Sequence, residues 1–252
     1  MERRIFLAGL GLVTAGTVVG TGVGALTEPA MASESPTART ARPGGHTTAF
    51  QATVSFRTSP SDKLVALTID DGPTPEWTPQ VLAVLRRHQA LATFFVVGKR
   101  AAASPAVVAL AAAAGHEIGN HTWGHSDLTR HDETYVRDSL ERTHATISKL
   151  TGQPPVLCRP PYGRIDSVGL GVCASLGYDV ALWSDHLTGS NAKGDVDITL
   201  REASPGSIVL AHDGGSEPNA TLMAQLDRLV GSMTDSGYTF TTVSRLLAAP
   251  AR

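Results

Sequence analysis

The 252-residue chain is short of cysteine, of aromatic residues and of net charge, and each shortage removes a class of protein. Two cysteines cannot build a disulfide scaffold or a four-thiolate zinc site, so any metal must be held by the nine histidines and the carboxylates. Lysine and arginine number 21 against 23 aspartates and glutamates, a net charge of -2, so there is no polybasic surface to collect nucleic acid. Aromatic residues are only 5%, few platforms on which to stack a long polymer by binding alone. What is present is 42% hydrophobic and 17% charged residues, the balance of a packed globular protein, which excludes disorder along the whole length.

The first 32 residues read as an address. Glu2-Arg3-Arg4-Ile5-Phe6-Leu7 precedes an apolar, glycine-rich run to about Leu26, and Ala30-Met31-Ala32 has the small-x-small pattern of a signal-peptidase site. The arginine pair resembles a twin-arginine export signal, so residues 1–32 are expected to be a cleaved signal peptide of a secreted or cell-envelope bacterial protein. The run's glycines and threonines make it a poor bilayer helix, so no stable membrane association is expected after cleavage. Residues 33–60 are rich in Ser, Thr, Pro, Gly and Ala without apolar periodicity and read as a linker, with one domain over 61–252.

Within that domain, short apolar runs at 64–69, 93–97, 116–119, 156–159, 179–183, 207–211 and 238–242 read as strands. Segments 78–88, 105–114, 133–150, 167–176 and 221–236 place apolar residues at helical spacing, and glycines at 115, 152, 177 and 237 stop four of them. Repeated strand-helix units predict an α/β protein with a parallel sheet, open or closed into a barrel. In either form the catalytic residues sit at the carboxyl ends of strands. Those ends carry Asp70-Asp71-Gly72, Asn120-His121-Thr122-Trp123-Gly124-His125, Arg159-Pro160-Pro161-Tyr162-Gly163 and His212-Asp213-Gly214-Gly215.

His121 and His125 are four apart, the spacing that puts two imidazoles on one face of a helical turn. With Asp71 they would give two histidines and one carboxylate with a position open to water, a set that suits zinc and, less selectively, cobalt, nickel or iron. Asp70 would be the base that takes the proton of that water. His212 is a candidate acid for a leaving amine or alcohol, and Arg159 could hold Asp70 in place. Each has a plainer reading alone: a solvated histidine pair, an Asp-Gly turn with capping duty, a histidine at the edge of the core, a structural ion pair.

In order and separation, Thr68-Ile69-Asp70-Asp71-Gly72, His121-Thr122-Trp123-Gly124-His125, Arg159-Pro160-Pro161-Tyr162-Gly163 and Leu210-Ala211-His212-Asp213 resemble the polysaccharide deacetylases of carbohydrate esterase family 4. The resemblance covers roughly Lys63 to Leu247. It implies a distorted (β/α) barrel of about seven parallel strands, a divalent metal of the zinc type with cobalt or nickel as substitutes, and removal of acetyl groups from a glycan such as chitooligosaccharide or peptidoglycan. By position it makes Asp70 the base, Asp71, His121 and His125 the metal ligands, Arg159 the tether of the base and His212 the acid. It also makes Tyr162 the backbone donor to the oxyanion and Leu210 the wall of the acetyl pocket. One departure stands out. The family's Asp-Trp pair after the strand ending in Trp is absent from Trp183-Ser184-Asp185-His186-Leu187-Thr188-Gly189-Ser190, so what orients His212 is open; Asp185 is a candidate orienting carboxylate and His186 a candidate to enter the groove, though neither has the expected spacing. An O-acetyl esterase on acetylated xylan and a weakly active glycan-binding homologue are the alternatives. Cys158 and Cys173 read equally as a disulfide or as two buried thiols. The oligomeric state is not readable.

Overall fold

The computed structural model describes residues 50–187, 194–216 and 220–251. The signal peptide expected over 1–32 and all but the last residues of the 33–60 linker lie outside the described residues. Among those described, no helix is long and apolar enough to cross a membrane.

The chain alternates strands and helices: β1 (Val54–Ser55), β2 (Leu64–Asp70), α1 (Thr78–Arg87), β3 (Ala92–Val96), α2 (Gly98–Ala103), α3 (Pro105–Ala113), β4 (Glu117–Asn120), α4 (Glu133–Thr151), β5 (Leu157–Cys158), α5 (Ser167–Ser175), β6 (Asp179–Ala181), β7 (Asp185–His186), α6 (Gly194–Glu202), β8 (Ile208–His212), α7 (Ala220–Asp235), β9 (Thr239–Thr241) and α8 (Val243–Leu247). The nine strands form one sheet, all pairs parallel, in the order β1-β6-β5-β4-β3-β2-β8-β7, with β9 against the first half of β2. All seven strands expected from periodicity are there, and β1 and β7 are additional.

The alternation of β2 shows how the sheet divides its residues. Val65, Leu67 and Ile69 face the helices and join a core with Val81, Leu85 and Leu226, whereas Ala66 joins Phe95, Leu157 and Ile208 on the other face. Thr68 and Asp70 share that inner face. Each apolar side chain buried in this way contributes about 1.5–3 kcal/mol, and the layers on the two faces fix the register that brings the polar strand ends together. A third cluster packs Leu140 of α4 and Val172 of α5 on Cys158 and Val180. Both cysteines are buried free thiols there, and Cys158 is pushed well above its ordinary pKa by its hydrogen bond with Cys173 and by burial.

The folded domain starts before Ser61, inside the stretch read as linker. β1 pairs with β6, the Leu182 N–H donates to the Ser55 carbonyl, and Arg57 bridges Ser207. Ser184 then donates its N–H to the Ile208 carbonyl. These backbone bonds carry the chain across the gap between β6 and the β7–β8 edge, which satisfies groups that a two-residue edge strand would leave unpaired.

Candidate active site

Asp70 ends β2 beside its register partner His212 at the end of β8. Asp71 leaves the strand with φ 73°, a left-handed conformation that a side chain with a Cβ pays for, and this turn aims its carboxylate at the same place as that of Asp70. Simple strand alternation would have sent the two apart. Neither aspartate caps α1, whose N-cap residue Trp77 offers no side-chain acceptor; the entry is tied instead by the Trp77 N–H donating to Thr74 Oγ1 and the Thr74 N–H donating to Thr78 Oγ1.

The histidine pair does not lie on a helix. His121 and His125 flank a loop in which Thr122 (φ 65°) and His125 (φ 59°) are left-handed. Its backbone donors are taken by side chains: Thr122 N–H by Asn120 Oδ1, and Trp123 N–H by Ser139 Oγ of α4. Its carbonyls at Thr122 and Trp123 accept from Gly98 and Lys99 at the start of α2. With the local donors captured, no helical ladder forms, yet both imidazoles still converge on Asp71. His121 Nε2 lies 3.3 Å and His125 Nε2 2.9 Å from Asp71 Oδ1.

That oxygen is buried and has no hydrogen-bond partner of good geometry, while the ligand atoms of Asp71, His121 and His125 lie within 4.8 Å of one another. A carboxylate and two imidazole nitrogens turned inward at this spacing fit a divalent cation of the zinc type. The outer contact fits too. His121 Nδ1 lies 2.7 Å from the Arg159 carbonyl, so this nitrogen carries the proton and leaves Nε2 as the ligand. Burial raises the pKa of Asp71, but the imidazoles of His121 and His125 close beside it outweigh this and hold the carboxyl well below the usual range. Burial lowers the pKa of His121, but Asp70 and Asp71 overcome this and raise it.

Arg159 is fully buried. Its Nη1 donates to Asp70 Oδ1 (2.8 Å) and Thr68 Oγ1 (2.6 Å), Nε to the Ala181 carbonyl and Nη2 to the Leu182 carbonyl, with the guanidinium 4.3 Å from the Phe95 ring centre. One oxygen of Asp70 is thereby fixed, and the other faces His121 Nε2 at 3.8 Å. Tyr162 is left-handed (φ 61°), and Gly163 and Arg164 close the turn on Pro160 and Pro161. Among the described residues no carbonyl takes the Tyr162 N–H. Its exposed ring meets His125 edge-on at 4.9 Å.

These residues open into one groove of about 660 Å³, lined also by Arg100, Trp183, His186, Leu210, His212, Gly215 and Ser216. A cleft of about 680 Å³ between α1 and α3, lined by Leu82, Leu91 and Leu110, lies away from the ligand set and carries no carboxylate. The groove thus joins Asp70, Asp71, His121, His125, Tyr162, Leu210 and His212 of the residues expected from the sequence, while Arg159 lies fully buried behind its wall and reaches the site through Asp70. The groove separates the two residues expected near the absent Asp-Trp pair. His186 enters the groove, whereas Asp185 is buried elsewhere against Ser184 Oγ (2.7 Å) and Arg57 (3.4 Å); residues 188–190 lie outside the described residues.

Residues 57–181 match the polysaccharide deacetylase family. A peptidoglycan-N-acetylglucosamine deacetylase from Bacillus cereus is 35% identical over 199 residues, 77% of this chain and 92% of that protein. The chain belongs to the polysaccharide deacetylase family. A second relative, the peptidoglycan-N-acetylmuramic acid deacetylase PdaC of Bacillus subtilis, is 36% identical over 190 residues; the match takes in 74% of this chain but 39% of that longer protein. Among solved structures, that of the Bc1960 peptidoglycan N-acetylglucosamine deacetylase with a bound N-hydroxybenzamide compound superposes with a TM-score of 0.75 at 30% identity, over 80% of this chain and 96% of that one. The curled parallel sheet is therefore the deacetylase fold, and the chain is a carbohydrate deacetylase.

The roles of several residues at this deacetylase site were not visible in the sequence. Thr68, which shares the Arg159 donor with Asp70, reads as an ordinary strand residue. Asn120 ends β4, which is the one signal it gives, and Arg100 lies within α2. Asp213 is fully buried, accepts from Thr78 Oγ1 at 2.5 Å, and has its pKa raised to about 7, chiefly by burial and further by Asp71 and Asp70.

Proposed function

We propose that the chain is an exported, divalent-metal-dependent N-deacetylase acting on an N-acetylated glycan of the peptidoglycan or chitooligosaccharide type, with zinc as its metal. The observation that carries this reading is the buried, unpartnered Asp71 Oδ1 facing two imidazole nitrogens on the floor of an open groove, with Asp70 and His212 on adjacent strand ends beside it. The names of the two relatives support an N-acetyl sugar as substrate. Export rests on the twin-arginine pattern at Arg3 and Arg4.

Asp71, His121 and His125 would hold the cation, which when bound supplies a Lewis acid and lowers the pKa of water from 15.7 to about 7. Arg159 keeps Asp70 in one rotamer, so its outer oxygen is placed to take a proton from the attacking water. The Tyr162 N–H, left free by its left-handed turn, donates to the acetyl oxygen as charge builds there. Leu210 gives the acetyl methyl an apolar wall, and His212 returns a proton to the leaving nitrogen. Acetate and a free amine are the products.

The test is acetate release by purified protein from N-acetylated chito-oligomers and from peptidoglycan, with and without chelator, and after zinc is restored. Release that chelation stops and zinc restores is the expected result. Chelator-insensitive release refutes the metal mechanism; preference for acetylated xylan over both N-acetylated substrates refutes the N-acetyl assignment. Binding with no release from any of the three refutes catalysis on them.

A further inference from the structure

The three ligands of the proposed metal site come from two separate segments, and something must hold those segments in one geometry. The link is the short stretch from Val97 into α2. The Val97 N–H donates to the Gly72 carbonyl, beside Asp71, while Gly98 and Lys99 donate to the Thr122 and Trp123 carbonyls inside the histidine loop. The next residue, half-buried Arg100, then reaches back: its Nη1 donates to the main-chain carbonyl of Asp71 at 2.5 Å. No other hydrogen bond of the Arg100 side chain is made among the described residues.

That carbonyl belongs to a residue held at φ 73°, a conformation that relaxes toward the right-handed region unless its surroundings prevent it. Two glycines on the far side complete the grip. A Cβ on Gly214 would overlap Arg100 Nη1 and the Asp71 carbonyl, and one on Gly215 would stand 2.7 Å from Asp71 Oδ2. Gly214 is therefore the residue that lets the guanidinium and the carbonyl meet.

We propose that Arg100 is a positioning residue for the metal site: by holding the Asp71 main chain in its left-handed turn and by sitting on the helix that anchors the histidine loop, it sets the distance between the carboxylate ligand and the two imidazoles. The inference rests on the metal-site reading above. A positive charge near a cation is by itself unfavourable, so the role is geometric rather than electrostatic, and the two contributions oppose each other.

The experiment is zinc affinity of the metal-free protein, by chelator competition, for wild type, Arg100→Met, Arg100→Lys and Gly214→Ala. It is run at about 0.1 M and about 1 M ionic strength, since the higher value shortens the screening length to about 3 Å and suppresses the charge effect but not the geometric one. Arg100→Met is expected to bind zinc about 10–100-fold more weakly at high salt, as loss of an outer support does elsewhere. Arg100→Lys, which can still reach a carbonyl but lacks the fork, falls between. Gly214→Ala, which keeps the charge and crowds the bond, weakens zinc in the same direction. Unfolding midpoints of the metal-free variants identify any that fail to fold, and Arg100→Lys then carries the test. Zinc affinity within twofold of wild type in both arginine variants overturns the proposal while leaving the metal reading intact, as does a rise in substrate KM with zinc affinity unchanged, which would make Arg100 a substrate contact. A wild-type protein that binds no zinc overturns both.

Discussion

Replacing Arg159 by methionine tests the buried centre of the site. The guanidinium is fully buried, its charge is matched by Asp70 at 2.8 Å, and its remaining donors satisfy Thr68 Oγ1 and the carbonyls of Ala181 and Leu182. Methionine fills much of the volume but donates nothing. Asp70 is then left as a buried carboxylate without its cation, a loss of about 3–5 kcal/mol, and the two carbonyls lose partners as well. Asp70→Asn commits the opposite fault, a buried guanidinium without its anion. The double variant leaves neither charge exposed to the low dielectric, so its cost falls short of the sum of the single costs by about 1.5–3 kcal/mol. Equilibrium urea unfolding of all four proteins in chelator measures this without a contribution from bound metal. Additivity within about 0.5 kcal/mol would refute the claim that the pair is a coupled unit.

Two further outcomes rest on the same geometry. His212→Gln should lower kcat by about 10²–10⁴ while zinc affinity stays within twofold of wild type; weakened zinc would place His212 among the ligands instead. Asp213, with its pKa raised from 3.8 to about 7, contributes stability that is complete below the unfolded value and is lost as pH rises through about 7. In chelator, wild type should therefore lose about 2–3 kcal/mol relative to Asp213→Asn between about pH 5 and pH 8, and a pH-independent difference in urea unfolding would show that the buried carboxyl does not titrate there.

What the sequence reveals and what it hides divide along physical lines. β2 and β8 read correctly because their apolar runs are long enough to show burial, and their polar ends because Asp70-Asp71 and His212 interrupt such runs abruptly. β1 and β7 hold two residues each, too few for any period, and exist because their neighbours offer unpaired backbone groups. α2 and α8 are single short turns, and Gly98 at the start of α2 argues against a helix that the histidine loop's carbonyls nonetheless cap. The spacing of His121 and His125 was the right signal attached to the wrong local structure. The contacts that replace the helical ladder come from the side chains of Asn120 and Ser139, and no local pattern shows that Ser139 of α4 folds back over Trp123. Arg100 could not be picked out for the same reason: its partner is a main-chain carbonyl 29 positions away.

The same distinction settles how the absent Asp-Trp pair should be approached. Asp185 is the nearest carboxylate in sequence to the position where His212's support is expected, and proximity in sequence favours it. Its surroundings do not. The carboxylate is buried, accepts from Ser184 Oγ at 2.7 Å and faces Arg57 at 3.4 Å, so it ties β7 to the strand crossing that closes the sheet. Because Arg57 is 43% exposed, the ion pair itself is screened and contributes less than about 1 kcal/mol. Asp185→Asn, which keeps the shape and the acceptor for Ser184, should therefore destabilise by no more than about 1 kcal/mol and leave the alkaline limb of the kcat/KM profile for acetate release where it is in wild type. A displacement of that limb toward lower pH, with stability unchanged, would show that Asp185 acts on the acid after all. An unmoved limb leaves His186, which lines the groove beside Leu210, as the described side chain of β7 whose replacement should alter turnover.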